Sequence, residues 1–140
     1  MFAYDTEEKI MELVRSFEDA SVSRGDWHHA EHLIVALYYV SRFDLDTAIE
    51  KMRNGILNLL VHGFNVDLAK EMPYHETLTI FWMRTAADFY SAKASETISD
   101  IAEKFVAGFD KDYPLRSYSR DLLFSDEARA KFVSPDIHKQ

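Results

Sequence analysis

The segment that decides the fold is Trp27–Ser41, whose sequence is WHHAEHLIVALYYVS. Within it, Leu33, Ala36, Leu37 and Val40 recur with the spacing of one apolar stripe on an α-helix. A helix with such a stripe is stable when the stripe faces a core built by other elements. The segment therefore predicts a helix over this range that packs against further helices.

The helical period continues on both sides of this segment, and each expected helix has its own start signal. Most starts are residues that cap helix N-termini, and one is a proline, which suits a first helical turn. Asp5-Thr6-Glu7-Glu8 has the form of a capping box with Asp5 as the N-cap. The expected starts are, in chain order, Asp5, Asp26, Asp44 or Asp46, Pro73, Ser95 or Thr97, and Ser125.

The fold class follows from the scarcity of helix breakers. The 140 residues contain only 4 Gly and 3 Pro, and no run alternates between apolar and polar residues as a strand would. We therefore expect an all-α protein, a single domain over residues 1–140. Its architecture is predicted to be an antiparallel bundle of about five helices plus a short C-terminal helix.

Composition excludes several classes of function. The formal net charge is −8, without the basic face that a nucleic-acid or anionic-membrane binder uses. The absence of Cys excludes disulfides and thiolate metal sites. No apolar run reaches the length of a membrane span, and the first residues lack the pattern of a signal peptide. A cytoplasmic location is the expectation.

Two segments, Trp27–His32 and Tyr74–Thr77, hold four of the six histidines. Short connections make neighbouring helices antiparallel, so the second and fourth helices are expected to start at the same end of the bundle. The 3.6-residue period places His29, His32 and His75 on or beside the apolar stripes of their helices. His62 and His138 lie outside this group, and His138 is in a polar tail with no sign of function.

Three converging histidines predict a site for a divalent metal ion. His29 and His32 are three residues apart and can share one ion from a single helix face. His75, from the parallel neighbour, would supply the third ligand. With open coordination positions, such a site suits iron, manganese or zinc, which would make the protein a metal-dependent enzyme acting on a small polar molecule.

Carboxylates and phenols beside the histidines are the candidate catalytic groups. Glu76 would be a fourth ligand or the acid/base, and Glu31 is its possible substitute. Tyr74 and Tyr118 could donate hydrogen bonds at the mouth of the site.

Two other interpretations use the same residues. In the first, helix N-termini with His and Tyr donors form a non-catalytic binding or sensing module for a small ligand or anion. In the second, the histidines are hydrogen-bonded core residues, which is the commoner role of a buried His. Exposed aromatic residues, exemplified by Phe2, Tyr4 and Tyr39, could then form the seam of a homodimer.

The motifs also resemble those of a family of small, all-helical bacterial proteins that has no established activity. The likeness extends over most of the chain and implies that His29, His32 and His75 belong to one recurrent constellation, with His28 incidental. The segments that carry it are His29-Ala30-Glu31-His32-Leu33, Asn58, Tyr74-His75-Glu76-Thr77, Tyr118–Arg129 and Pro135-Asp136-Ile137.

Overall fold

Residues 2–137 of the chain are described by a computed structural model, and they confirm the all-α class. Over this range all regular secondary structure is helical, and no strand is present. Met1 and residues 138–140, and with them His138, lie outside the described part. The α-helices are α1 (Glu7–Glu18), α2 (His29–Arg42), α3 (Leu45–Asn58), α4 (Glu76–Lys93), α5 (Ile98–Gly108), α6 (Arg120–Leu123) and α7 (Asp126–Ala130).

Helix α2 is the central element of the bundle. It packs against α1, α3, α4 and α5, so other helices surround it. Three members of the predicted stripe are buried and Val40 is partly buried, but residues between the members are buried as well. Those with at most 2% exposure are Leu33, Ile34, Val35, Ala36, Leu37 and Tyr39. A helix that is apolar on nearly all sides must lie inside the fold, and this places α2 in the core.

Two of the predicted N-caps are wrong by a few residues. Helix α1 is capped by Thr6, whose Oγ1 accepts the backbone N–H of Lys9 at 3.2 Å. Asp5 instead forms an ion pair with the Lys9 ammonium at 2.8 Å. Asp26 does not cap α2 but ends a short 3-10 turn, Arg24–Asp26. The predicted caps Asp44, Thr97 and Ser125 are confirmed as the caps of α3, α5 and α7.

Helix α4 begins three residues after the predicted Pro73, because a histidine caps it. His75 has extended backbone angles, and its Nδ1 accepts the backbone N–H of Leu78 at 3.2 Å. Imidazole can cap in this way only while Nδ1 is unprotonated. Pro73 thus belongs to the loop that leads into the helix.

The C-terminal segment contains one helix more than predicted, the four-residue α6, and it returns to the start of α4. Thr77 is fully buried, and its Oγ1 donates to Lys131 O at 3.0 Å and accepts Val133 N–H at 3.2 Å. The hydroxyl of Tyr118 donates to Val133 O at 2.6 Å. These bonds tie the last described residues to the first turn of α4.

The aromatic residues suggested for a dimer seam are largely occupied within the chain. Tyr39 is 2% exposed and donates its hydroxyl to Glu18 at 2.7 Å, so its predicted exposure is wrong. Phe2 and Tyr4 are partly buried against the core. In the described residues, no helix has both the length and the apolar character needed to cross a membrane.

Gly55 provides a test of the packing between α1 and α3. A Cβ added at Gly55 would collide with the ring of Phe17, which is fully buried and stacked on Trp27 at 4.9 Å. We expect Gly55→Ala to destabilise the fold by about 1–3 kcal/mol, although Ala is normally the better helix residue by about 1 kcal/mol. Urea unfolding measures the change.

Gly108→Ala is the matched control, since a Cβ there meets no atom within 4 Å. It should leave the free energy of unfolding unchanged or raise it by up to about 1 kcal/mol. Equal effects of the two substitutions would contradict the packing described here.

Thr77 tests the attachment of the C-terminal segment. Thr77→Val keeps the shape of the side chain but leaves Lys131 O and Val133 N–H without their partner, so unfolding should become easier by about 1–3 kcal/mol. Thr85→Val is the control in the same helix, because Thr85 donates only to Phe81 O of its own helix at 2.8 Å. It should change the free energy by about 0.5 kcal/mol or less.

Candidate functional site

A cavity of about 260 Å³ lies where the N-terminal turns of α2 and α4 meet the second half of α3. The expected meeting of the two helix starts is therefore confirmed, and His29, His32 and His75 all line this one space. Most of the remaining wall is apolar. It is formed by Leu33, Ala36, Met52, Ile56, Pro73, Leu78, Trp82 and Met83, with Tyr74, Thr79 and Lys111 as further polar members.

His29 connects the start of α2 to the residue that follows α5. Its Nε2 lies 2.9 Å from Phe109 O, and because a carbonyl only accepts, Nε2 must carry the proton. The ring also meets Trp82 edge-on, with centroids 5.1 Å apart. In its neutral form, His29 therefore has a bare Nδ1.

His32 has the opposite arrangement. Its Nε2 accepts the indole N–H of Trp27 at 3.1 Å, so this nitrogen is unprotonated and the proton of the neutral ring is on Nδ1. Trp27 is itself fixed by stacking on Phe17, with an interplanar angle of 10°. Burial, and secondly the neighbouring His29, lower the pKa of His32 from 6.5 to about 4. His32 is neutral at pH 7.

His75 uses both ring nitrogens inside the protein. Nδ1 accepts Leu78 N–H, and Nε2–H donates to Leu123 O at 2.6 Å. The imidazole thus caps α4 and holds α6 against it at the same time. Burial lowers the pKa of His75, opposed by the hydrogen bond to Leu123, and the positive charge of Arg129 lowers it further.

The three rings as arranged do not fit a three-histidine metal site. Coordination needs a lone pair on each ring, and here His75 has none free, while the lone pair of His32 is held by Trp27. Only His29 retains one. Within residues 2–137, no group of three or more His, Asp or Glu is placed to hold an ion. Metal binding stays a prediction that would require these hydrogen bonds to be exchanged.

Glu76, the predicted acid/base, is held in an ion pair away from the lining of the cavity. Arg53 contacts both carboxylate oxygens, at 2.9 and 2.5 Å, and the Tyr74 hydroxyl donates to Oε1 at 2.6 Å. The Arg53 hydrogen bonds lower the pKa of Glu76, so it remains ionised near neutral pH. The cluster links α3 to the first turn of α4.

Glu31, the predicted substitute, also has internal partners. Its carboxylate accepts the Tyr4 hydroxyl at 2.8 Å and the backbone N–H of His28 at 3.0 Å. Burial, and then the bond to Glu31, raise the pKa of Tyr4. Glu31 borders a separate surface cleft rather than the histidine cavity. Tyr118, assigned to the mouth of the site, is buried and bonded to Val133.

Several residues of the site were not predicted from the sequence. Trp82, Met52 and Ile56 recur with other apolar residues at helical spacing, which predicts core positions and gives no sign that they border a cavity. Lys111 and Phe109 lie in the connection after α5. Their approach to α2 depends on a contact across 80 residues, for which a local pattern carries no signal.

Comparisons with models of protein families, with curated proteins and with solved structures found no match to this chain. The likeness of its motifs to a bacterial family therefore stays a prediction.

The neutral state of His32 predicts a specific loss of stability in acid. The folded protein binds a proton on His32 more weakly than the unfolded chain does, with pKa values of about 4 and 6.5. The corresponding stability is complete above pH 6.5 and is lost as the pH falls toward 4, up to roughly 3 kcal/mol. Urea unfolding at several pH values measures it.

His32→Gln is the informative variant, since the Gln amide oxygen can still accept from Trp27 but does not titrate. Other groups contribute equally in both proteins, so the difference between their stability curves isolates His32. The curve of the variant should fall less steeply between pH 6.5 and 4. Parallel curves would contradict the assignment.

Proposed function

We propose that the protein is a binding module for a small, largely apolar molecule, held in the cavity between α2, α3 and α4. The observation that carries this proposal is the cavity itself, about 260 Å³ of space with mainly apolar walls and two partly open imidazoles. Non-catalytic binding is one of the alternatives that the sequence left open, and the hydrogen bonds of the site favour it.

The size of the cavity argues for an occupant. The cavity is partly open to solvent, and its space equals the liquid volume of roughly eight or nine waters. Water gains little from walls formed by Leu33, Met52, Ile56 and Met83. Displacing it with an apolar molecule is favourable. The volume lies just below the range of about 300–1,000 Å³ for drug-sized ligands, so a guest of one or two rings fits.

The polar groups of the site support binding over catalysis. Glu76 is neutralised by Arg53, and Glu31 is engaged by Tyr4 and His28, so both carboxylates already have partners. A general acid or base must reach the reacting group, and neither carboxylate lines the cavity. The polar groups left to contact a guest are therefore the imidazoles of His29 and His32, with Thr79 and Lys111.

Naphthalene is a suitable first probe, because its binding beside Trp82 changes indole fluorescence. We expect saturable one-to-one binding to the wild type. Ala36, which lines the cavity at 1% exposure, can be enlarged to Leu so that its side chain fills the space. Ala36→Leu should weaken binding at least about tenfold, the effect of losing roughly 1.4 kcal/mol of contact.

Ala92→Leu is the matched control, since Ala92 is an exposed residue of α4 outside the cavity. It should bind naphthalene like the wild type. Absence of saturable binding to the wild type, with the fold intact by circular dichroism, would contradict the proposal.

The metal-dependent enzyme is tested in the same samples. Wild type, His29→Ala and His28→Ala are titrated with iron(II), manganese(II) and zinc(II), and melting curves are recorded with and without chelator. His28 is exposed and lies outside the cavity, so it serves as the control histidine. Stoichiometric uptake that is lost in His29→Ala and kept in His28→Ala would favour the metal interpretation.

A further inference from the structure

The first turn of α2 presents two imidazoles of opposite hydrogen-bonding character to the cavity. His29 and His32 are three residues apart, hence on one helix face. The Nε2–H of His29 donates to Phe109 O, and the Nε2 lone pair of His32 accepts the indole N–H of Trp27. When both rings are neutral, the ring nitrogens without a partner are an unprotonated Nδ1 on His29 and an Nδ1–H on His32.

Both of these nitrogens are accessible rather than buried. Neither Nδ1 has a hydrogen-bond partner among residues 2–137. Yet over the same range no buried side-chain nitrogen or oxygen lacks a partner. Each of the two atoms therefore keeps some exposed surface, and the cavity is the space that both rings line.

The charges around the cavity disfavour an anion. The N-terminus of α2, next to both imidazoles, already carries the carboxylate of Glu31, and Glu76 at the start of α4 is paired with Arg53. Lys111 lines the cavity, but Asp110 and Asp112 flank it in the chain. A bound carboxylate or phosphate would also face the lone pair of His29.

We infer that the cavity takes a small apolar molecule carrying one uncharged group that both donates and accepts a hydrogen bond, such as an alcohol or a primary carboxamide. The group accepts from His32 Nδ1–H and donates to His29 Nδ1, while the apolar body lies against Trp82 and the aliphatic wall. This inference rests on the proposed function and adds the class of ligand to it. The tautomers fixed by Trp27 and Phe109 are the origin of the selectivity.

Four probes of one shape test the inference: naphthalene, 2-naphthalenemethanol, 2-naphthamide and 2-naphthoate. Binding is measured by calorimetry at pH 8, above the usual range for imidazole protonation. The alcohol and the amide should each bind roughly three- to tenfold more tightly than naphthalene, the effect of one or two hydrogen bonds. The carboxylate should bind at least about tenfold more weakly than the amide.

Asn and Gln variants separate recognition from structure. The Gln amide reaches the position of Nε2, and the Asn amide that of Nδ1, so each retains one half of the imidazole. His32→Gln keeps an acceptor for Trp27 but loses the donor toward the guest, whereas His32→Asn loses the Trp27 bond and keeps the donor. The readout is the ratio of amide to naphthalene affinity. It should fall to about one in His32→Gln and stay above about three in His32→Asn.

The same exchange at His29 provides a second, independent pair. His29→Gln keeps the bond to Phe109 O and loses the acceptor for the guest, and His29→Asn does the reverse. Melting temperatures recorded in parallel identify any variant that does not fold, and the other pair then decides.

The outcomes distinguish this inference from the proposed function. If none of the four probes binds the wild type, both fail. If naphthalene binds but the alcohol and the amide bind no better, the inference alone is overturned. Tightest binding by 2-naphthoate would overturn it in favour of an anion site at Lys111. If the affinity ratio falls in the Asn variants, which lose the Trp27 or Phe109 bond, and not in the Gln variants, which lose the Nδ1 group, the histidines act only on structure.

Discussion

The burial of α2 is the constraint on which the rest of the structure depends. Four other helices pack around it, and six of its residues have at most 2% exposure. A helix apolar on nearly all sides leaves its neighbours little freedom of placement, because each must cover part of it. Its first two turns, at His29, His32, Leu33 and Ala36, also line the cavity. The candidate site thus lies at the N-terminal end of this central helix.

Histidines connect distant parts of the chain around that end. His29 bonds to a carbonyl 80 residues away, and His75 to one 48 residues away. Each bond joins a helix start to a distant part of the chain, the residue after α5 in one case and the last residue of α6 in the other. Buried carbonyl groups need donors, and a neutral imidazole supplies one without bringing a charge into the core. The histidine-rich segments therefore have a structural purpose that is independent of any ligand.

The helices could be predicted from the sequence because their signals are local. The stripe of α2 and the caps at Asp44, Thr97 and Ser125 depend on residues within one or two turns. The start of α4 was misplaced because an imidazole seldom caps a helix, and Pro73 offered the commoner signal. The four-residue α6 is too short for a period to develop.

The location of the candidate site could be predicted from the sequence, but the hydrogen-bonding roles of its residues could not. The convergence of the three histidines followed from helix direction, which the sequence indicates through its short connections. Whether a histidine ring can bind a metal or only forms hydrogen bonds depends on its partners. Here those partners are carbonyl groups distant in the sequence and the indole of a tryptophan. In the sequence, Trp27 carries no signal beyond its large apolar ring, yet its indole N–H determines the tautomer of His32. Such pairings appear only when tertiary contacts are known.

A neutral imidazole has one proton and one lone pair, and each internal hydrogen bond removes one of them. His75 has used both and is closed to any guest, whereas His29 and His32 have each used a different one. Burial lowers the pKa of His32 to about 4 and so keeps its lone pair on the indole of Trp27 at neutral pH. Protonation would turn every free imidazole nitrogen into a donor and erase the difference between the two rings. The proposed selectivity for an uncharged guest and the predicted destabilisation in acid would thus have one physical origin, the cost of placing charge at His32.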